Sequence, residues 1–166
     1  VVLTHSASAT VREALLHTPP AHVICTVSSP QDEGRAFAED LRSNGLEVEL
    51  VEDDEAPAKL EWASVLLLGA DTVYHDGTLC NKTGTSALAE AAAAASVPVI
   101  VACEVIKLAP IDAADAPELT AEEFELTPPA LVDSVVTEEG TVSPDEIGAL
   151  VDRTPFLREG YALLGD

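Results

Sequence analysis

The sequence predicts an α/β domain of three layers, a Rossmann-like layout in which helices cover both faces of a mainly parallel sheet. Three observations predict it. Short strand-like runs at residues 1–3, 23–27, 47–51, 65–68 and 99–103, apolar or of alternating pattern, are interleaved with segments of helical pattern. Alternation at this spacing favours strand–helix–strand units over hairpins. The run Val65-Leu66-Leu67-Leu68 has no polar alternation, as expected of a strand buried on both faces.

Each element has a local reason. Ser8 or Thr10 can cap a helix that runs through residue 17. Residues 23–27 form the second strand, set between Pro19-Pro20 and Ser28-Ser29-Pro30. Pro30 suits the first turn of the next helix, and Asn44-Gly45 stops it. Residues 47–51 alternate acidic and apolar side chains, which places them near an edge of the sheet. A short helix is expected over 56–62 and a longer one over 86–95. The fifth strand, 99–103, follows Pro98. Residues 104–129 read as a looser acidic stretch with Pro110, Pro117, Pro128 and Pro129. A sixth strand is expected over 131–136 and a short helix over 144–151. The stretch 71–85 reads as a loop, and the chain shows no internal repeat.

Composition narrows the function classes. The 166 residues suffice for one domain with a core. The chain opens inside a strand rather than on Met, so the expectation is a single domain, 1–166, cut from a longer protein. Thirty Asp and Glu against eight Lys and Arg give a formal net charge of -22, yet 47% of residues are hydrophobic. A disordered acidic chain lacks that apolar content. The combination fits a folded protein with a carboxylate-rich surface in a salt-loaded cytosol, where repulsion is screened. A cytoplasmic location is expected, with no signal peptide or membrane span. Direct nucleic-acid binding is not expected, because no basic face exists to meet phosphates. Cys25 and Cys103 lie in apolar runs as small hydrophobes, and Cys80 is ambiguous. Neither the cysteines nor His17, His22 and His75 have metal spacing, so the three histidines read as surface and no metal or cofactor is expected.

Three loops are expected to converge at the C-terminal edge of the sheet, where open α/β sheets bind ligands. They are Thr4-His5-Ser6-Ala7-Ser8, Ser28-Ser29-Pro30 and the segment from Asp71 to Thr85. Hydroxyls and backbone N–H groups at helix starts suit a phosphate or sugar phosphate. Ser6, Ser8 and Ser28 serve equally well as helix caps, and His5 equally well as a partner of the backbone. Asp71 directly follows a buried strand and favours a site role. The chain has only three lysines, Lys59, Lys82 and Lys107. Lys82, beside Gly84 and Thr85 at a helix start, is expected to serve an anion or Asp71. The alanines at 91–95 read as close helix packing, and the acidic stretches 52–55 and 118–125 as solvated surface.

Several segments line up in order with one family. Gly69-Ala70-Asp71 and Asn81-Lys82-Thr83-Gly84-Thr85 carry its most specific motif. His5-Ser6-x-Ser8 resembles its first-strand motif, and Pro30 with Gly34-Arg35 its Pro-x-x-x-Gly-Arg segment. Phe124-x-x-Thr127-Pro128-Pro129, Val132-Asp133 and Thr137-Glu138-x-Gly140 resemble its C-terminal pattern. Over roughly residues 1–151 the chain thus resembles the initiation factor 2B alpha/beta/delta-subunit family, which also holds two sugar-phosphate isomerases.

The resemblance implies that family's Rossmann-like C-terminal domain. Its isomerases, for methylthioribose-1-phosphate and ribose-1,5-bisphosphate, use a cysteine of the first motif and the aspartate of Gly-Ala-Asp. Asp71 matches that aspartate, whereas Ser6 stands where the cysteine would be. A hydroxyl is a far poorer proton carrier than a thiol. A Glu-Thr-Arg-Pro-like segment of the isomerases reads Val27-Ser28-Ser29-Pro30 here, without its Glu and Arg. The expectation leans to a non-enzymatic, initiation-factor-2B-like domain in translation-linked or regulatory assembly. It is expected to form a homo- or hetero-oligomer of related subunits. A sugar-phosphate or nucleotide sensing site at His5, Ser6, Ser8, Ser28, Asn81, Lys82, Gly84 and Thr85 stays open. The alternative is an aldose–ketose sugar-phosphate isomerase with Asp71 as its catalytic group.

Overall fold

The computed structural model describes residues 1–116 and 123–162. Among them the strands are β1 (Val2–Thr4), β2 (Val23–Thr26), β3 (Val48–Val51), β4 (Val65–Leu68), β5 (Thr72–Val73), β6 (Leu79–Lys82), β7 (Val99–Ala102), β8 (Phe124–Thr127), β9 (Ser134–Thr137) and β10 (Gly140–Val142). The α-helices are α1 (Ala9–His17), α2 (Glu33–Ser43), α3 (Ala56–Lys59), α4 (Thr85–Ala94), α5 (Ile147–Asp152) and α6 (Pro155–Ala162).

Seven strands form the main sheet in the order β10-β9-β7-β4-β1-β2-β3. All pairs are parallel except β9 with β10. From β1 the chain steps outward through β2 to β3, then returns across to β4 and proceeds the other way. The order therefore reverses between β1 and β4, and a crevice opens beyond the C-terminal ends of such strands.

Side chains alternate across the sheet between two cores. Leu3, Ile24, Leu66, Leu68, Val99 and Val101 point to the face covered by α4 and α5. Val23 and Cys25 point to the opposite face, covered by Val11 and Leu15 of α1 and Phe37, Ala38 and Leu41 of α2. Fully burying a leucine contributes roughly 1.5–3 kcal/mol, so these stripes fix helix placement and strand register together. The predicted three-layer α/β architecture is the one observed. The unalternated run in β4 is buried unevenly: Leu66 and Leu68 are enclosed, while Val65 and Leu67 are half-buried, with Leu67 against the α1–α2 core.

Several elements differ from the sequence expectation. The segment 71–85 is not a plain loop. It contributes β5 and β6 to a second, antiparallel sheet of order β5-β6-β8, with β8 drawn from the stretch expected to be loose. The β6 strand is buried throughout. Helix α2 starts at Glu33 rather than near Pro30, because Asp32 sits at φ 58 in the left-handed region and breaks the helical path. The sixth strand begins at Ser134 after a single 3-10 turn over Pro129–Leu131, and β10 and α6 are additions. Of the alanine run, Ala92 is enclosed and Ala91 half-buried, whereas residues 93–95 are exposed. Pro117 and residues 118–122 of the acidic stretch lie outside the described residues. No helix among the described residues is long and apolar enough to cross a membrane.

Candidate functional site

Two of the three expected loops meet the β6–α4 turn beyond β1 and β2. The contact is a chain of hydrogen bonds through buried groups. The Ser6 backbone N–H donates to Ser28 Oγ at 2.7 Å. Ser28 Oγ and Thr26 Oγ1 are 2.9 Å apart, and Thr26 Oγ1 lies 2.7 Å from His5 Nδ1. His5 Nε2 reaches the Thr83 carbonyl oxygen at 3.0 Å. A carbonyl only accepts, so Nε2 carries the proton and Nδ1 accepts from Thr26. Burial pushes the His5 pKa below its ordinary value, and the Thr83 carbonyl and the acids Asp53, Glu33 and Glu125 only partly oppose it. His5 is therefore a neutral strut tying β1 and β2 to the second sheet.

Strain concentrates at this junction. Four non-glycine residues among those described have positive φ, and three of them, Ser6 (φ 66), Ser28 (φ 63) and Asp32 (φ 58), belong to these loops. Such conformations cost of order 1–3 kcal/mol each and cluster at functional sites. Gly84, at φ 101, lets the β6–α4 turn close against His5, where a Cβ would lie 3.1 Å from Nε2.

Several of the donors that suit an anion are bonded to carboxylates of the chain itself. Lys82 is 5% exposed; its Nζ lies 2.6 Å from Gln31 Oε1 and 3.1 Å from Glu33 Oε1. Ser6 Oγ donates to the same Glu33 oxygen at 2.8 Å. The Ser28 and Ser29 N–H groups donate to the two oxygens of Asp53, each at 2.7 Å. The Gly84 and Ser86 N–H groups donate to Glu125 Oε1 at 3.0 and 2.7 Å. Burial is the largest influence on Glu33 and raises its pKa. Its own backbone N–H, the Ser6 hydroxyl and Lys82 outweigh it, so the net shift is downward and the carboxylate stays ionised.

The remaining predicted residues divide. Ser8 is the N-cap of α1, accepting from the Val11 N–H at 3.3 Å. Asn81 and Thr85 are buried and lock the turn: Asn81 Nδ2 donates to Thr85 Oγ1 at 3.0 Å, and Thr85 Oγ1 donates to the Lys82 carbonyl at 2.6 Å. Asp71 has no direct hydrogen bond with these groups and lines a neighbouring cleft of about 760 Å³ with Thr72, Tyr74, Lys107, Phe156 and Tyr161. Crowding raises its pKa, mainly by removing water; Lys107 and then Lys82 pull it down, and Glu33 pushes it up. Lys82 thus acts on Asp71 at a distance, and its direct partner is Glu33, not Asp71.

Four acids with structural roles here, Glu33, Asp53, Glu123 and Glu125, were not singled out in the sequence. Asp53, Glu123 and Glu125 fall in stretches read as solvated surface. Asp53 and Glu125 instead hold loop N–H groups, and Glu123 Oε1 accepts from Gln31 Nε2 at 2.5 Å. No local pattern marks them, since their partners lie 24 to 92 positions away. His75, read as surface, is half-buried between Asp112 (3.2 Å) and Asp152 (3.4 Å). The thiols of Cys25 and Cys103 are buried and pushed up to about 12 by that burial. Cys80 is buried in β6, where burial and then the Asp71 charge raise its pKa. Among the described residues no group of three His, Cys, Asp or Glu could hold a metal ion.

Comparison with known proteins agrees with this architecture. Ribose 1,5-bisphosphate isomerase of Archaeoglobus fulgidus is 32% identical over an alignment covering 97% of this chain and 58% of that protein. The crystal structure of Pyrococcus horikoshii OT3 translation initiation factor eIF-2B superposes with a TM-score of 0.80 at 32% identity, covering 86% of this chain and 58% of that one. The tetrameric eIF2B-beta2-delta2 complex from C. thermophilum gives 0.76 at 25% identity, covering 92% and 53%. The chain thus spans between half and three-fifths of the length of these relatives. The model of the initiation factor 2 subunit family matches residues 1–123, and the chain belongs to that family.

Proposed function

We propose that this chain is an initiation-factor-2B-like domain of a non-catalytic subunit, acting in a translation-related or regulatory assembly of related subunits. The observation that carries the reading is the internal saturation of the site. Lys82 and the Ser6 hydroxyl are bonded to Glu33, the Ser28 and Ser29 N–H groups to Asp53, and the Gly84 and Ser86 N–H groups to Glu125, and Ser6 offers a hydroxyl where a thiol would be needed. Assembly of related subunits is supported by the eIF2B tetramer among its structural relatives. A phosphorylated small molecule remains the ligand class for a sensing role, and it would have to compete with these carboxylates.

One observation favours a second reading. Asp71, the aspartate of Gly-Ala-Asp, stands at a roomy cleft with its pKa raised, as suits a group that takes up and returns a proton. With an isomerase among the relatives, aldose–ketose isomerisation of a sugar phosphate is the alternative.

Two assays on the full-length protein separate them. The first reading expects an oligomer by light scattering in molar KCl and no turnover of ribose 1,5-bisphosphate or methylthioribose-1-phosphate. Turnover that disappears in Asp71→Asn would replace it with the second.

A further inference from the structure

We propose that Glu33, with Gln31, is an internal competitor for anions at Lys82, so that this chain's own α2 start sets whether a phosphate can bind there. The inference rests on the sensing role for a phosphorylated ligand considered under the proposed function, takes Lys82 as its anion contact, and concerns its regulation.

A nearly enclosed ammonium needs an oxygen partner, because an unpaired buried charge is strongly unfavourable. Lys82 finds two, one from the segment joining β2 to α2 and one from the first residue of α2. Glu33 Oε1 receives the Ser6 hydroxyl as well as the ammonium, so one carboxylate oxygen occupies the point where hydroxyl and cation converge. A phosphate oxygen placed there would meet the same two donors. The other oxygen, Glu33 Oε2, is buried and has no hydrogen-bond partner outside its own residue. Moving outward would let that oxygen gain hydrogen bonds from water that it lacks in place. Gln31 is exposed, and the Glu33 side chain keeps 27% of its surface, so both can swing outward without opening the core. Gln31 and Glu33 flank the left-handed Asp32, and both side chains reach Lys82.

An anion approaching Lys82 therefore meets a site already neutralised, with Asp71 nearby as a further repelling charge. Displacing Glu33 restores the positive field. Neutralising Glu33 does the same permanently.

The test is phosphate binding to the full-length protein, measured by calorimetry at constant ionic strength with potassium phosphate replacing potassium chloride. Glu33→Gln is expected to bind inorganic phosphate at least tenfold more tightly than the unaltered protein. Gln31→Ala is expected to shift affinity in the same direction by less. Glu13→Gln, which changes net charge equally on the exposed face of α1, is expected to leave affinity unchanged. Adding Lys82→Gln to Glu33→Gln must abolish the gain. Circular dichroism and a melting curve report whether each variant is folded, and Gln31→Ala carries the test if Glu33→Gln is not. Equal phosphate affinity in the folded variants and the unaltered protein overturns the proposal. So does a gain that survives removal of Lys82, or one matched by Glu13→Gln. Turnover of a sugar phosphate by the same protein would refute the non-catalytic reading while leaving this comparison intact.

Discussion

His5 Nε2 and the Thr83 carbonyl oxygen stand 3.0 Å apart, joining the end of β1 to the β6–α4 turn across 78 positions of sequence. This bond and the 2.7 Å contact of Nδ1 with Thr26 hold the imidazole in one neutral tautomer. Protonation would force the Thr26 hydroxyl to turn from donor to acceptor and would place a charge in a buried place.

That relationship predicts a pH dependence. The folded-state pKa of His5 is below its ordinary value of 6.5, so the folded protein binds this proton less readily than the unfolded chain. The associated stability is fully present above pH 6.5 and is lost as pH falls from there through the folded value. Urea unfolding at pH 7.5 and 5.5 is expected to show this loss, and His5→Gln to flatten the difference. His5→Gln is also expected to lower stability at pH 7.5 by about 1–3 kcal/mol, because Thr26 loses a buried partner.

Gly34 sits where α2 begins against β2. A Cβ there would lie 1.8 Å from the Thr26 carbonyl oxygen and 2.9 Å from that of Val27. Both obstacles are backbone, so the helix must move away from the sheet. Gly34→Ala is expected to destabilise by about 3 kcal/mol, the upper end of typical overpacking costs, read as a lower urea midpoint.

Lys82 and Glu33 are expected to be coupled energetically. Lys82→Met leaves Glu33 Oε1 with Ser6 as its remaining partner and should cost about 1–3 kcal/mol, less than a fully buried pair because Glu33 keeps some solvent. Adding Glu33→Gln should recover part of that loss. A double-mutant cycle by chemical denaturation measures the coupling, expected within about 0.5–3 kcal/mol. Strict additivity would refute it.

Asp71 is expected to behave in the opposite sense to a stabilising acid. Its folded pKa is raised, chiefly by burial, so stability linked to it is fully present below its ordinary 3.8 and lost as pH rises through the folded value. At neutral pH its charge opposes folding only slightly, because the residue stays exposed and is screened by solvent. Asp71→Asn should therefore melt at the same temperature as the unaltered protein or slightly higher, in contrast to Gly34→Ala. A clear drop in melting temperature would show that Asp71 has a structural role.

The sequence by itself determined the sheet and its two cores. Apolar runs such as Val23–Thr26 and Val99–Ala102 and helical stripes such as Phe37, Ala38 and Leu41 are local patterns, and hydrophobic burial acts on them wherever the chain places them. The family was legible for the same reason, because Gly69-Ala70-Asp71 and Asn81-Lys82-Thr83-Gly84-Thr85 are contiguous. The second sheet was not, because β5 has only two residues and β6 pairs with β8 across the loose stretch. Short strands carry little period, and their hydrogen bonds depend on a distant partner. Only the tertiary structure decided what Lys82 touches. Glu33, Asp53 and Glu125 read as ordinary acids in a chain of net charge -22. Folding brings those three to the lysine and the loop N–H groups, because buried donors must be satisfied and these carboxylates lie within reach.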